Sequence, residues 1–126
     1  MQILIIKCLL VAVAAMCNAV MDTLREHYEI SIFTRFNRYY WDGKVSWRNK
    51  YNFGQEGMGI KQFYRIPLMS SFSDAWHLFK SAMIITLCLA LSITTLSSSF
   101  FLLQIALYGT IWNVVFDMFY NKFLRK

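Results

Sequence analysis

Three long apolar runs, with one long polar interval after the first and a short serine break between the other two, set the pattern of this chain. They read "ILIIKCLLVAVAAMCNAVM" (3–21), "LFKSAMIITLCLALSITTLSS" (78–98) and "FFLLQIALYGTIWNVVFDMFY" (100–120). A bilayer core about 30 Å thick takes roughly 20 apolar residues of helix, so each run predicts a transmembrane helix. The serines Ser97–Ser99 predict a tight helical hairpin between the second and third runs. Lys7, near the outer end of the first, is expected to snorkel to the headgroups on its long stem. The same first run has the outline of a secretory signal, with one basic residue, an apolar stretch and "CNA" placing Ala19 at a cleavage position, so residues 1–19 are a candidate cleaved segment. Continuation of the run to Met21 favours its retention as a span.

The interval 22–76 alternates aromatic and basic residues: Phe33, Phe36, Tyr39, Tyr40, Trp41, Trp47, Tyr51, Phe53, Phe63 and Tyr64 lie among arginines and lysines. Amphipathic rings and basic heads both prefer the headgroup layer, so this segment is expected to rest on the membrane surface, its first part continuing helically from the first span. "KVSWRNKYNF" alternates in the manner of a strand, "GQEGMG" supplies turn residues and "IKQFYRI" could return as a partner, which allows a small β-hairpin. The expected fold class is therefore all-α integral membrane: one domain over residues 1–126, three transmembrane helices, and an aromatic, basic interfacial loop between the first two.

Charged residues make up 16% of the chain and hydrophobic ones 57%, against about 25% charged for soluble domains, which agrees with a membrane protein. The formal charge is +6, and its placement sets an orientation. Arg25, Arg35, Arg38, Lys44, Arg48, Lys50, Lys61 and Arg65 lie in the loop, and Lys122, Arg125 and Lys126 in the tail. The positive-inside rule then places loop and C-terminus in the cytoplasm of a bacterial-type inner membrane. Acidic phospholipid headgroups are the expected partners of the loop, and spans this few are expected to assemble as homo-oligomers. Six acidic residues offset the eight basic ones in the loop, which weakens a nucleic-acid reading. Cys8, Cys17 and Cys88 sit in apolar runs without a CxxC, and are expected to be buried, inert thiols.

Polar residues recur at helical spacing where the apolar runs meet the loop. Asn18, Asp22 and Glu26 form one row, Ser70, Ser73, Asp74, His77 and Ser81 a second, and Asn113, Asp117 and Tyr120 or Asn121 a third. Acidic groups at the hydrocarbon edge turn inward, because facing lipid costs a few kcal/mol each. The rows thus predict a shared cluster of Asp22, Asp74, His77 and Asp117, with Asn18 and Asn113 beside it and Arg25, Arg48, Lys50 and Lys80 to balance it.

Two chemistries fit such a cluster. In the structural one, Ser73 caps the second helix, Asp74 interacts with its positive end, and the other carboxylates pair with basic residues. In the catalytic one, Asp22, Asp74, His77 and Asp117 hold a divalent cation while Arg48, Lys50 or Lys80 grips a phosphate, which suits a hydrolase or transferase acting on a phosphorylated lipid headgroup. A proton or ion path is a further use of the same residues. No HExxH, P-loop or GxSxG signature is present.

At "DTLREHYEISIF", "YYWDGKVSWRNKYN" and "SDAWHLFK" the chain resembles a group of short, uncharacterised bacterial and phage membrane proteins with a tryptophan-rich SWRNKY loop before a DAWHLFK-like span; the likeness covers about residues 18–80. The resemblance implies a small bacterial or phage integral membrane protein. It brings no activity and assigns no site residue. A small multi-pass membrane protein is the expectation, with the lipid-headgroup enzyme and a holin-like permeabilising protein as alternatives.

Overall fold

A computed structural model describes residues 2–93 and 101–124. The serine turn, the end of the second apolar run and the tail residues Arg125 and Lys126 lie outside the described residues. Three long helices dominate: α1 (Gln2–Glu26), α5 (Ala75–Ser92) and α6 (Phe101–Asp117), the last continuing directly into a π-helical turn, Met118–Phe123. Among the described residues α1 alone is long and apolar enough to cross a membrane, and Ala75–Leu91 is a shorter apolar helix.

Helix α1 stands in the middle. It packs along both α5 and α6, which have little direct contact with one another, while the serine turn expected to join them lies outside the described residues. Small residues make this arrangement close: Ala14, Ala15 and Ala19 on α1 are fully buried. The central position also covers Lys7, which is buried where an outstretched, snorkelling side chain was expected. Cys17 is buried as expected, whereas Cys8 is half-buried and Cys88 is exposed on α5. Polar side chains within the helices bond back to their own backbone. Thr23 donates to the Ala19 carbonyl at 2.8 Å, Thr86 to Ala82 at 2.9 Å and Asn113 to Gly109 at 2.8 Å.

The interfacial loop contains no strand among the described residues. It is a string of short helical turns that includes α2 (Arg38–Trp41), α3 (Gly43–Ser46) and α4 (Pro67–Ser70). The expected β-hairpin shrinks to one antiparallel bridge between Tyr51 and Ile60, where Asn52 N–H donates to the Gly59 carbonyl and Lys61 N–H to that of Lys50. Side-chain caps close turns along the loop, with Ser31 accepting from Phe33 N–H, Asn37 from Tyr39 N–H and Asp42 from Lys44 N–H, and the last of these starts a helical turn inside the first expected strand. Each bond closes a local turn, and such turns compete directly with a ladder. Only the turn itself keeps its predicted place, with Gly59 at a φ of +81° that suits glycine.

The loop then folds back over the helix ends. Tyr28 and Phe33 join Ala19, Val20, Leu24, Ala75 and Leu124 in the core, with Trp41, Phe79, Phe116, Phe119 and Tyr120 packed around them. Phe33 stacks on Trp41 with ring centroids 5.1 Å apart, and Trp41 reaches Phe79 of α5 at 6.2 Å. Such ring pairs contribute about 0.5–1.5 kcal/mol beyond the area they bury. Ile32 N–H donates to the Leu124 carbonyl at 3.0 Å, tying the loop to the end of the π turn.

Gly43 sets how closely α3 approaches α1: a Cβ there would lie 3.0 Å from the Leu24 carbonyl oxygen and 3.4 Å from the Arg25 Cα. Gly43→Ala is therefore expected to cost about 1–3 kcal/mol. The check is a lower unfolding midpoint in detergent, with Lys44→Ala, at an exposed neighbour, close to wild type.

Candidate functional site

Where α1, α3 and the start of α5 meet, a hollow of about 320 Å³ opens to the surface. Its walls are built from Arg25 at the end of α1, Gly43, Ser46, Trp47 and Lys50 in and after α3, and Asp74, Trp76 and His77 at the start of α5. Gly43 brings α3 against α1, which carries Ser46 and Trp47 toward Arg25.

At the floor lies Asp74, only 1% exposed. It is itself the N-cap of α5, with Oδ1 accepting from the His77 backbone N–H at 2.9 Å, so Ser73 does not cap the helix as expected. Instead the Ser73 hydroxyl donates to Asp74 Oδ2 at 2.9 Å, and His77 Nδ1 lies 2.7 Å from the same oxygen. Asn49 reaches across from the loop and donates to the Ser73 carbonyl, fixing this corner to the turn after α3. Burial pushes the Asp74 carboxyl up, but the His77 side chain, the His77 backbone, the imidazole charge and the Ser73 hydroxyl together outweigh it and hold the group below the usual carboxylate range. An ionised carboxylate only accepts, so Nδ1 of His77 carries the proton it shares and Nε2 is the ring atom left for other work. The field of Asp74 is also felt by Tyr40, whose phenol is raised first by burial and then by this carboxylate.

The rest of the lining is cationic, aromatic and hydroxylic. Arg25 pairs with Glu26 at 3.1 Å with both side chains exposed, an arrangement worth about 0–1 kcal/mol and readily exchanged. Lys50 places its ammonium 5.1 Å from the centre of the Tyr51 ring. Ser46 is 1% exposed and lines the hollow from α3. Trp47 and Trp76 form the apolar sides.

Of the expected cluster, only Asp74 and His77 come together. Asp22 does not line the hollow, and Asp117 accepts from Asn121 of its own helical turn at 2.6 Å. Among the described residues no three His, Cys, Asp or Glu side chains form a group that could hold a metal ion, so the expected divalent-cation site of Asp22, Asp74, His77 and Asp117 is not assembled. For two of them the reason is local: Asp117 accepts from Asn121 one turn on, and Asp74 has both oxygens occupied by Ser73 and His77. Of the expected phosphate-gripping residues, Lys50 lines the hollow. Arg48 stacks on Trp47 at 5.3 Å and faces a neighbouring depression with Glu56, while Lys80 lies 5.0 Å over Trp76 and outside the lining. Ser46, Gly43, Trp47 and Trp76 were not singled out as site residues by the sequence; "DG" at Asp42–Gly43, a cap followed by a small residue, is the signal that points to this corner. No family model, no curated protein and no solved structure matches the chain.

Asp74→Asn removes an acceptor charge from three donors and is expected to lower stability near neutral pH by about 1–3 kcal/mol. The folded carboxyl lies below its ordinary value, so its contribution is complete above the usual carboxylate range and fades as pH falls through it. Unfolding followed against pH should therefore show wild type and Asp74→Asn converging in acid and diverging above it.

Proposed function

We propose that the chain is a three-span integral membrane protein of a bacterial-type inner membrane that holds the anionic headgroup of a phospholipid in the hollow at the loop-side end of its helices. The observation that carries this reading is the composition of the lining. Two cations, Arg25 and Lys50, and the buried Ser46 share one cavity with a carboxylate whose oxygens already accept hydrogen bonds. Such a site attracts an anion and offers it donors. Two tryptophans beside it match the preference of indole for the headgroup layer.

Membrane embedding draws support from the outward faces of the helices. Ile3, Ile5, Ile6, Leu9 and Val13 on α1, Ile84, Ile85, Leu89 and Leu91 on α5, and Leu103, Leu107 and Val114 on α6 are exposed, more apolar surface than a soluble chain of this size leaves uncovered. Hydrocarbon would cover it. Retention of the first span is favoured by the core: Ala14, Ala15 and Ala19 are fully buried, and removing residues 1–19 would open the space between α5 and α6. The charge asymmetry supports a cytoplasmic side for loop, hollow and C-terminus. In a hydrolytic form of this reading, supported by the Asp74–His77 pair, Nε2 of His77 would take the proton of a water whose oxygen bonds to phosphorus as the P–O bond to the alcohol breaks, and would return that proton to the departing alkoxide.

Purification from membranes after an alkaline wash, followed by quantification of bound lipid, tests the reading. Anionic phospholipid is expected to co-purify in stoichiometric amounts and to fall by about tenfold in Arg25→Gln/Lys50→Gln, on the estimate that each cation contributes roughly 1 kcal/mol or somewhat less. Release of the chain by the wash would overturn the integral reading, and unchanged lipid in the double variant would overturn the site.

A further inference from the structure

Resting on the membrane reading and not on the hollow, we infer that the chain leading into α5, residues 62–72, is an elbow lying in the surface of an anionic bilayer. Phe63, Ile66 and Phe72 enter among the acyl chains there, and Lys61 and Arg65 meet the headgroups. The position follows from one hydrogen bond. Ser81 of α5 donates its hydroxyl to that of Ser71 at 2.6 Å, so the chain before the helix runs back along the helix's own side. The reversal falls at Asp74, whose extended backbone (φ −163°, ψ 166°) leads into Ala75. Ser81 lies six positions after Ala75, which at 1.5 Å per residue is about 9 Å along the axis from the helix start. Segments that lie on a bilayer sink about 5–10 Å into the boundary between headgroups and acyl chains. With the start of α5 at headgroup depth, the elbow is at that boundary.

Backbone and side chains both suit that depth. A 3-10 turn, Gln62–Arg65, packs against α4, and the N–H groups of Tyr64, Met69, Ser70 and Phe72 donate to the carbonyls of Lys61, Ile66, Ile66 and Met69, so those amides are satisfied within the elbow. Hydrocarbon tolerates only such satisfied groups. Phe63, Ile66 and Phe72, by contrast, are each half or more exposed. Charge selects what covers them. From Lys61 to Ser73 the chain carries two cations, Lys61 and Arg65, and no acidic residue. Lys80, next to Ser81 on α5, turns its ammonium back over the Trp76 ring at 5.0 Å, toward the helix start and the headgroup layer. An apolar segment edged by cations alone complements anionic lipid, in which hydrocarbon takes the rings and phosphates take the charges. A protein partner would have to bring acidic groups around an apolar groove; lipid offers both beside helices that already stand in it.

The test uses the full chain in nanodiscs of phosphatidylcholine mixed with phosphatidylglycerol, with 4-fluorophenylalanine in place of Phe63 or, separately, Phe72. Fluorine resonances are recorded with a lipid bearing a nitroxide high on its acyl chain, and then with a water-soluble gadolinium chelate. Both positions are expected to broaden strongly with the lipid nitroxide and weakly with the chelate. In discs of phosphatidylcholine alone, and in Lys61→Gln/Arg65→Gln, the balance of the elbow between bilayer and water should shift about tenfold toward water, seen as a gain in broadening by the chelate. Lys122→Gln, in the π turn, should leave it unchanged. The fluorine label is a small replacement that keeps the fold, and far-UV circular dichroism identifies any charge variant that does not. Broadening by the chelate alone, in a chain that resists an alkaline wash, would overturn the elbow and leave the membrane reading standing. Protection from both agents would show a protein contact, with a second copy or another chain, and would overturn lipid as the occupant. Equal insertion in neutral and anionic discs would overturn the part given to Lys61 and Arg65. Release of the chain by the wash would overturn the elbow and the membrane reading together.

Discussion

A carboxylate with 1% of its surface exposed must find its hydrogen bonds inside the protein, and Asp74 finds them in a backbone amide, a hydroxyl and an imidazole. Leaving such a group unpaired would cost several kcal/mol, so its partners are effectively fixed in place. Three consequences follow from that requirement. The first turn of α5 must start at Ala75, because Asp74 caps it. The ring of His77 must present Nε2 away from the pair, because Nδ1 is held. The turn carrying Ser73 must stay beside the loop, because Asn49 bonds its carbonyl. One buried charge thereby aligns a helix, a potential proton acceptor and a loop.

Asp42 repeats the device at the start of α3. It too is buried, caps α3 through Lys44 N–H at 2.9 Å and accepts from Arg38 Nε at 3.0 Å, and Arg38 in turn reaches Glu29 at 3.1 Å. The Asp42 hydrogen bond, then the charges of Glu29 and Asp42, raise the Arg38 guanidinium above its usual range, which keeps it firmly cationic. With α3 capped by one aspartate and α5 by another, and with Gly43 allowing α3 to lie against the α1 backbone, the hollow is enclosed by elements whose starting points are fixed electrostatically. The aromatic stack of Phe33, Trp41 and Phe79 then covers the same joint from the core side.

Apolar periodicity made the helices legible in the sequence, and the run lengths located α1, α5 and α6 within a few residues. The polar rows were less faithful guides, for a physical reason. A row at i, i+4 reports which residues share a face, but Asn113 and Thr23 spend their donors on carbonyls four residues back in their own helices, and Asp117 is satisfied by Asn121. Only Asp74 and His77, at the helix start where free amides invite a cap, kept the expected partnership. The loop misled in the opposite direction: "KVSWRNKYNF" alternates like a strand, yet the Asp42 cap starts a helical turn over Gly43–Ser46 that takes its first residues out of a ladder. Ser46 carries no sequence signal, since its importance comes from burial beside an unfilled space that only tertiary packing creates.

The position of the hollow at the joint between apolar helices and basic loop has an energetic logic. Arg25 and Lys50 line a common cavity, and two like charges near one another repel unless a counter-charge intervenes. The ionised Asp74 carboxylate in that cavity and Glu26 beside Arg25 each offset part of this positive charge. A cytoplasmic leaflet carries a negative surface potential, which concentrates cationic groups at its surface and supplies anionic headgroups at high local density. An anion bound there would stabilise the folded chain by mass action and link α1, α3 and α5 through one ligand. Under the proposed membrane reading, the exposed apolar faces and the cationic hollow complement one another, because hydrocarbon would cover the first while the second sat at headgroup depth.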